Sequence, residues 1–137
     1  MLKFIYPAVF SKNKDKGYTV KFPDLPGCIT YGDDPADAIL MAQDAACGWV
    51  LDELESGAIL PKASDPEHIK LKKNEYISMT VLDIDSYAKL YGTQAVRKNT
   101  TIPAWLNTFG EKIQANYSEL LTESLFKKYQ AYMEQMK

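Results

Sequence analysis

The stretch Val96-Arg97-Lys98-Asn99-Thr100-Thr101-Ile102-Pro103 decides how this chain is read. Its residues alternate as those of a β-strand do, and they stop at a proline, which cannot continue a hydrogen-bonded ladder. Downstream, apolar residues recur at helical spacing over 104–115 (Leu106, Phe109, Ile113) and from 118 to about 133 (Leu121, Leu125, Tyr129, Tyr132), with a break at Asn116-Tyr117. One strand and two short amphipathic helices cannot close a core, and the strand has nothing to pair with inside residues 93–137. A second copy of the chain solves both problems. Two such strands pair antiparallel across a two-fold axis, and the ribbon they form is narrow enough to enter the major groove of DNA.

Alternation then sorts the side chains. Ile102 leads directly into Leu106 and Phe109 and is expected to point at the core beneath, together with Val96, Lys98 and Thr100. Arg97, Asn99 and Thr101 fall on the outward face. Arginine can fork onto guanine O6 and N7, asparagine onto adenine, and threonine can bond a base or touch a thymine methyl. Lys98, though inward by alternation, has a stem long enough to emerge at the ribbon edge and reach a phosphate. The start of the second helix, Asn116-Tyr117-Ser118, offers free amides and the positive end of the helix dipole, which can clamp a phosphate or simply be capped.

The first two thirds read differently. Leu2, Phe4, Tyr6, Ala8 and Phe10 share one face at period two, Asn13-Lys14-Asp15-Lys16-Gly17 is a turn, and Tyr18, Val20 and Phe22 resume the alternation. Pro23 and Pro26-Gly27 interrupt the chain, and residues 28–31 can add a third strand. Asp33-Asp34-Pro35 opens a helix with Asp34 as cap, Pro35 at the first helical position and Asp37 in the first turn. Ile39, Ala42, Ala46, Trp49 and Val50 are expected to form its buried stripe, and Gly57 to stop it. A fourth strand follows at 75–82, a short helix at 83–91, and a hinge at Gly92-Thr93-Gln94. The expected architecture is α+β: an antiparallel sheet with a packed helix over 1–92, then the strand-helix-helix unit over 93–137.

Two sets of residues, at opposite ends of the chain, resemble one family. Tyr6-Pro7-Ala8-Val9-Phe10, Gly17-Tyr18-Thr19-Val20 and the run from Phe22-Pro23-Asp24-Leu25-Pro26-Gly27 to Cys28-Ile29-Thr30 are similar to the N-terminal signature of HicB antitoxins. Arg97 to Asn107, with Asn116-Tyr117-Ser118-Glu119-Leu120-Leu121, resembles their C-terminal domain. The likeness spans nearly the whole chain and is weakest across 58–75. It implies a partial RNase H-like fold for 1–92 and a ribbon-helix-helix fold for 93–137, in which the outward strand residues read operator bases. It also implies a homodimer, or a higher oligomer, that masks a small HicA-like RNA-cleaving toxin and represses its own operon. The alternative is an autonomous regulator whose N-terminal domain binds another protein or a ligand.

Composition constrains the partners. The net charge is −2, but residues 1–92 carry ten lysines against fourteen acids, and residues 93–137 carry six basic against four acidic groups. No Lys or Arg occurs between Phe22 and Pro61, where Asp24, Asp33, Asp34 and Asp37 stand among eight acids. Those four are the candidate contacts for a basic toxin; the bland reading is a solvated helix face. Charges interrupt every apolar run, and the N-terminus lacks a secretory pattern, so a cytosolic protein without a membrane span is expected.

Enzyme chemistry has little support. An RNase H-like fold invites a two-metal nuclease, which needs converging carboxylates, yet the first two strands put no acid on a core-facing position. His68 is the single histidine and lies in the polar stretch 63–73, expected as a loop. Cys28 and Cys47 lack metal-ligand spacing and read as small core residues. Tyr6, Tyr18 and Phe22 read as core rather than RNA platforms, and Lys70, Lys72 and Lys73 as a solvated loop. No metal and no cofactor are expected.

Overall fold

The structure is a computed structural model that describes residues 3–92 and 95–135. It divides into two compact units, Met1–Gly92 and Thr93–Lys137. Leu2 of the expected first strand and Thr93-Gln94 of the expected hinge lie outside the described residues.

In the first unit β1 (Lys3–Lys12), β2 (Tyr18–Lys21), β3 (Ile29–Gly32) and β4 (Glu75–Asp83) form one antiparallel sheet in the order β3-β2-β1-β4. The β1–β2 turn closes with the Asn13 amide donating to the Gly17 carbonyl at 3.0 Å, and Gly17 supplies a positive φ of 92°. Pro7 sits in this otherwise central strand because β2 begins pairing only at Val9↔Lys21. At Pro7 the chain has a neighbour on the β4 side alone, so the missing amide leaves no gap in a ladder.

The helix α1 (Pro35–Glu55) covers one face of the sheet. Its ends follow the cap chemistry legible in the sequence: Asp34 accepts from the Asp37 amide at 2.8 Å, and Pro35 opens the first turn. At the other end Gly57 (φ 80°) donates to the Leu54 carbonyl and Ala58 to the Glu53 carbonyl, a Schellman closure. Ala38, Ala42, Ala46 and Val50 are fully buried against a sheet face that contributes Tyr6, Ala8, Phe10, Val20, Phe22 and Leu82. Ile39, expected in that stripe, is instead 46% exposed, and Trp49 is half-buried. The reason is the narrowness of the contact: alanines let the helix approach so closely that a larger residue faces away. At Gly32 an added Cβ would lie 2.3 Å from the Ala38 backbone. Gly32→Ala is therefore expected to destabilise the first unit by about 3 kcal/mol or more, because backbone rather than a movable side chain must yield. Denaturant unfolding followed on the full chain checks this; an unchanged midpoint would contradict the close approach.

On the opposite sheet face Pro7 and Val9 are buried at the centre, while Ile5, Ile29, Tyr31, Met79 and Val81 around them are substantially exposed. A short helix α2 (Ile84–Tyr91) follows β4 and packs beside α1. The polar stretch before β4 is not wholly a loop: Pro66–His68 make one 3-10 turn, with His68 exposed.

The second unit contains α3 (Ala104–Lys112), which starts where expected and ends three residues early, and α4 (Tyr117–Gln135), which starts one residue early and runs about two further. Gln114, at φ 54°, takes the left-handed position of the turn between them, and the Ala115 amide donates back to the Gly110 carbonyl. Residues 95–103 form neither helix nor strand. The strand expected over 96–102 is therefore not formed, and among the described residues no segment pairs with it.

Candidate functional site

The second unit hides almost nothing. Among its described residues only Gly110 is buried. Trp105, Phe109, Ile113, Leu120 and Leu125 are each more than half exposed, and Ile102 is 44% exposed. Arg97, Lys98, Asn99 and Thr101 lie together on the exposed segment before α3, which starts behind Pro103 without a side-chain cap. At the start of α4 the Asn116 side-chain oxygen accepts from the Glu119 amide at 3.1 Å, so this residue already serves as a cap. Helix geometry leaves the Tyr117 and Ser118 amides without an intrahelical acceptor, as an anion clamp requires. The Tyr117 ring itself lies over Gly110, where any side chain would collide with its hydroxyl, and so it packs the α3–α4 corner.

The four acidic candidates of the first unit do not share one role. Asp34 and Asp37 are tied into the start of α1, with Asp37 also accepting from the Asp33 amide at 2.9 Å. Asp33 stands exposed beside them. Asp24 is half-buried and accepts from both the amide (2.9 Å) and the hydroxyl of Ser64, pinning the 22–28 loop to the segment before the 3-10 turn. Its structural engagement could not be read from the sequence, since its partner lies forty residues away.

Other acids form a more coherent feature. Asp44, Asp52 and Glu55 follow helical spacing along α1 and, with Trp49, Tyr87 and Tyr91, line an open groove of about 390 Å³. The Trp49 indole is fixed by donating to the Pro26 carbonyl at 3.0 Å, and the Tyr87 and Tyr91 rings lie 4.8 Å apart. Burial raises the Tyr87 phenol pKa, and the nearby Asp44 carboxylate adds to the rise. The spacing of Asp44, Gly48 and Asp52 was legible; the tyrosines that complete the groove come from another helix.

Cys28 and Cys47 are buried, and burial pushes both thiols up to about 11, so they stay protonated at neutral pH. Among the described residues no three His, Cys, Asp or Glu side chains converge so as to hold a metal ion. None of the helices they form is long and apolar enough to cross a membrane.

The family model described as a HicB-like antitoxin of bacterial toxin–antitoxin systems matches residues 6–124. The chain belongs to this family. As a HicB-like antitoxin it is a component of a toxin–antitoxin system and not an enzyme. It is 35% identical over 124 residues to an uncharacterized 14.9 kDa protein in the rep-hol intergenic region of Haemophilus phage HP1 (strain HP1c1), covering 89% of this chain and 90% of that protein. A chain in a toxin–antitoxin complex from Streptococcus pneumoniae superposes with a TM-score of 0.61 at 27% identity, over 93% of this chain and 99% of that one. The antitoxin HicB of Burkholderia pseudomallei shares the fold, with a TM-score of 0.55 at 22% identity over 91% of this chain and 96% of that one.

Proposed function

We propose that this HicB-like antitoxin does two jobs with its two units. The first binds and masks a small, basic, HicA-like RNA-cleaving toxin in the cytoplasm. The second dimerises as a ribbon-helix-helix module, binds palindromic operator DNA and represses the operon that encodes the pair. The observation that carries the second job is the surface of residues 95–135: apolar side chains on both helices stand in solvent, with one glycine buried among them. Such a unit needs a second copy to form a core. Pairing residues 96–102 with their symmetry mate would supply the missing ladder, turn Ile102 inward and leave Arg97, Asn99 and Thr101 facing the groove. Lys98 and the amides at Tyr117 and Ser118, held in place by the Asn116 cap, would then meet phosphates, which fix register without reading sequence.

For the first job, the partly exposed sheet face opposite α1 supplies apolar area and the acidic stretch 24–55 supplies charge opposite to that of an RNA-binding toxin. Asp33 and Asp34 are exposed and Asp24 and Asp37 half-buried, and Asp24, Asp34 and Asp37 also hold the fold through backbone hydrogen bonds. The partial RNase H-like reading of this unit is what the likeness to HicB antitoxins implies, and the element order strand-strand-strand-helix-strand is compatible with it. The test is co-expression of the full chain with any short basic reading frame found beside its gene, then co-purification and an RNA-cleavage assay. Stoichiometric recovery and loss of cleavage are expected. A neighbouring basic protein that neither binds the chain nor is inhibited by it would overturn the toxin-masking role.

A further inference from the structure

We propose that the groove between Trp49 and the Tyr87–Tyr91 pair is a receptor for an arginine side chain of the basic partner protein. The proposal rests on the toxin-masking reading, which supplies the partner, but its chemistry stands on the groove. Three carboxylates and three aromatic rings line it, with no Lys, Arg or His among the lining residues. A phosphate would be repelled by such walls, and a purely apolar ligand would strip water from Asp44 and Asp52 without compensating them. A guanidinium satisfies both kinds of wall, since it stacks on aromatic faces and forks onto carboxylates, which an ammonium does less well.

The geometry is prepared for that ligand. Asp44 and Asp52 lie two helical turns apart on α1, and between them Gly48, having no side chain, leaves room for the Tyr87 hydroxyl. An added Cβ at Gly48 would stand 2.9 Å from the Tyr87 hydroxyl, so the tyrosine closes down on the helix there. The Trp49 ring cannot swing in to fill the space while its indole nitrogen is held by Pro26. Asp44 and Asp52 therefore lie to either side of the Tyr87 hydroxyl in a groove also lined by the Trp49 and Tyr91 rings.

The test uses the full-length chain and two small probes: N-acetyl-arginine methylamide and its citrulline counterpart, which matches its shape without its charge. The Trp49 indole N–H resonance, assigned with a Trp49→Phe chain, reports occupancy of the groove. The arginine probe is expected to shift it saturably and to bind about ten-fold more tightly than the citrulline probe. Asp44→Asn combined with Asp52→Asn should remove that preference, with spectra away from the groove unchanged, whereas Asp15→Asn in the β1–β2 turn should retain it. An indole signal that responds to neither probe, or equally to both, overturns the proposal. Failure of the toxin-masking role would show separately, as a parent chain that leaves toxin cleavage intact while still selecting arginine over citrulline. Where the parent chain inhibits, the double variant is expected to release toxin at least about ten-fold faster, and an unchanged rate would likewise overturn the arginine site.

Discussion

Replacing Arg97 or Asn99 by alanine is expected to abolish most of the preference for operator over scrambled DNA while leaving the fold and the dimer intact. A good bidentate contact to a base discriminates by about 1–3 kcal/mol, and a two-fold dimer makes each contact twice, so the expected loss is about 2–6 kcal/mol per variant. Both side chains are exposed in the free chain and join no core, which keeps the effect out of stability. Lys98→Ala should behave differently. A phosphate contact weakens binding to every sequence alike and lowers the salt dependence of affinity by about one unit of slope per lost contact. Titrations with specific and scrambled duplexes at several salt concentrations separate the two behaviours. If Arg97→Ala and Asn99→Ala bind the operator as the parent does, some other element reads the bases.

The second large effect concerns assembly. Ile102→Asp is expected to convert the dimer to a monomer, because it places a carboxylate at the centre of the ribbon's inner face in both copies. Burying an unpaired charge costs several kcal/mol per site, more than a small interface can offset. Thr101→Asp, one residue away on the outward face, should leave the dimer assembled. Sedimentation of the full-length variants over a range of concentrations gives the answer directly. An Ile102→Asp chain as dimeric as the parent would place the interface elsewhere and remove the reason for the exposed stripe on α3 and α4.

Much of the first unit was legible because its signals are local. Period-two alternation at 4–10 and 75–82, the Asp34-Pro35 cap and the Gly57 stop each depend on neighbours in sequence, and each fell within a residue or two of the observed element. What was not legible depends on tertiary approach. The buried stripe of α1 follows Ala38 rather than Ile39 because Gly32 lets the helix lie almost on β3, and a reading that weighs large apolar residues favours the wrong one. Asp24 looked like a free surface charge until Ser64 was seen to occupy it. In the sequence the carboxylates of the groove stand out only as members of an acidic stretch, because Tyr87 and Tyr91 approach them from a separate helix. The ribbon strand is the opposite case. Its alternation is plain in the sequence, but the single chain forms no strand there, and in the proposed dimer the ladder hydrogen bonds would belong to two chains.

Division of labour between the units is the central claim, and a single assay addresses it: cleavage of RNA by the cognate toxin, with equimolar antitoxin added in three forms. These are the full chain, the full chain carrying Arg97→Ala and Asn99→Ala, and a fragment of residues 1–92, which keeps the whole sheet and its helix-covered core. All three are expected to stop cleavage, while only the first retards operator DNA in a parallel gel. Cleavage that persists with a folded 1–92 fragment would contradict the account, since the ribbon unit would then belong to the inhibitory surface.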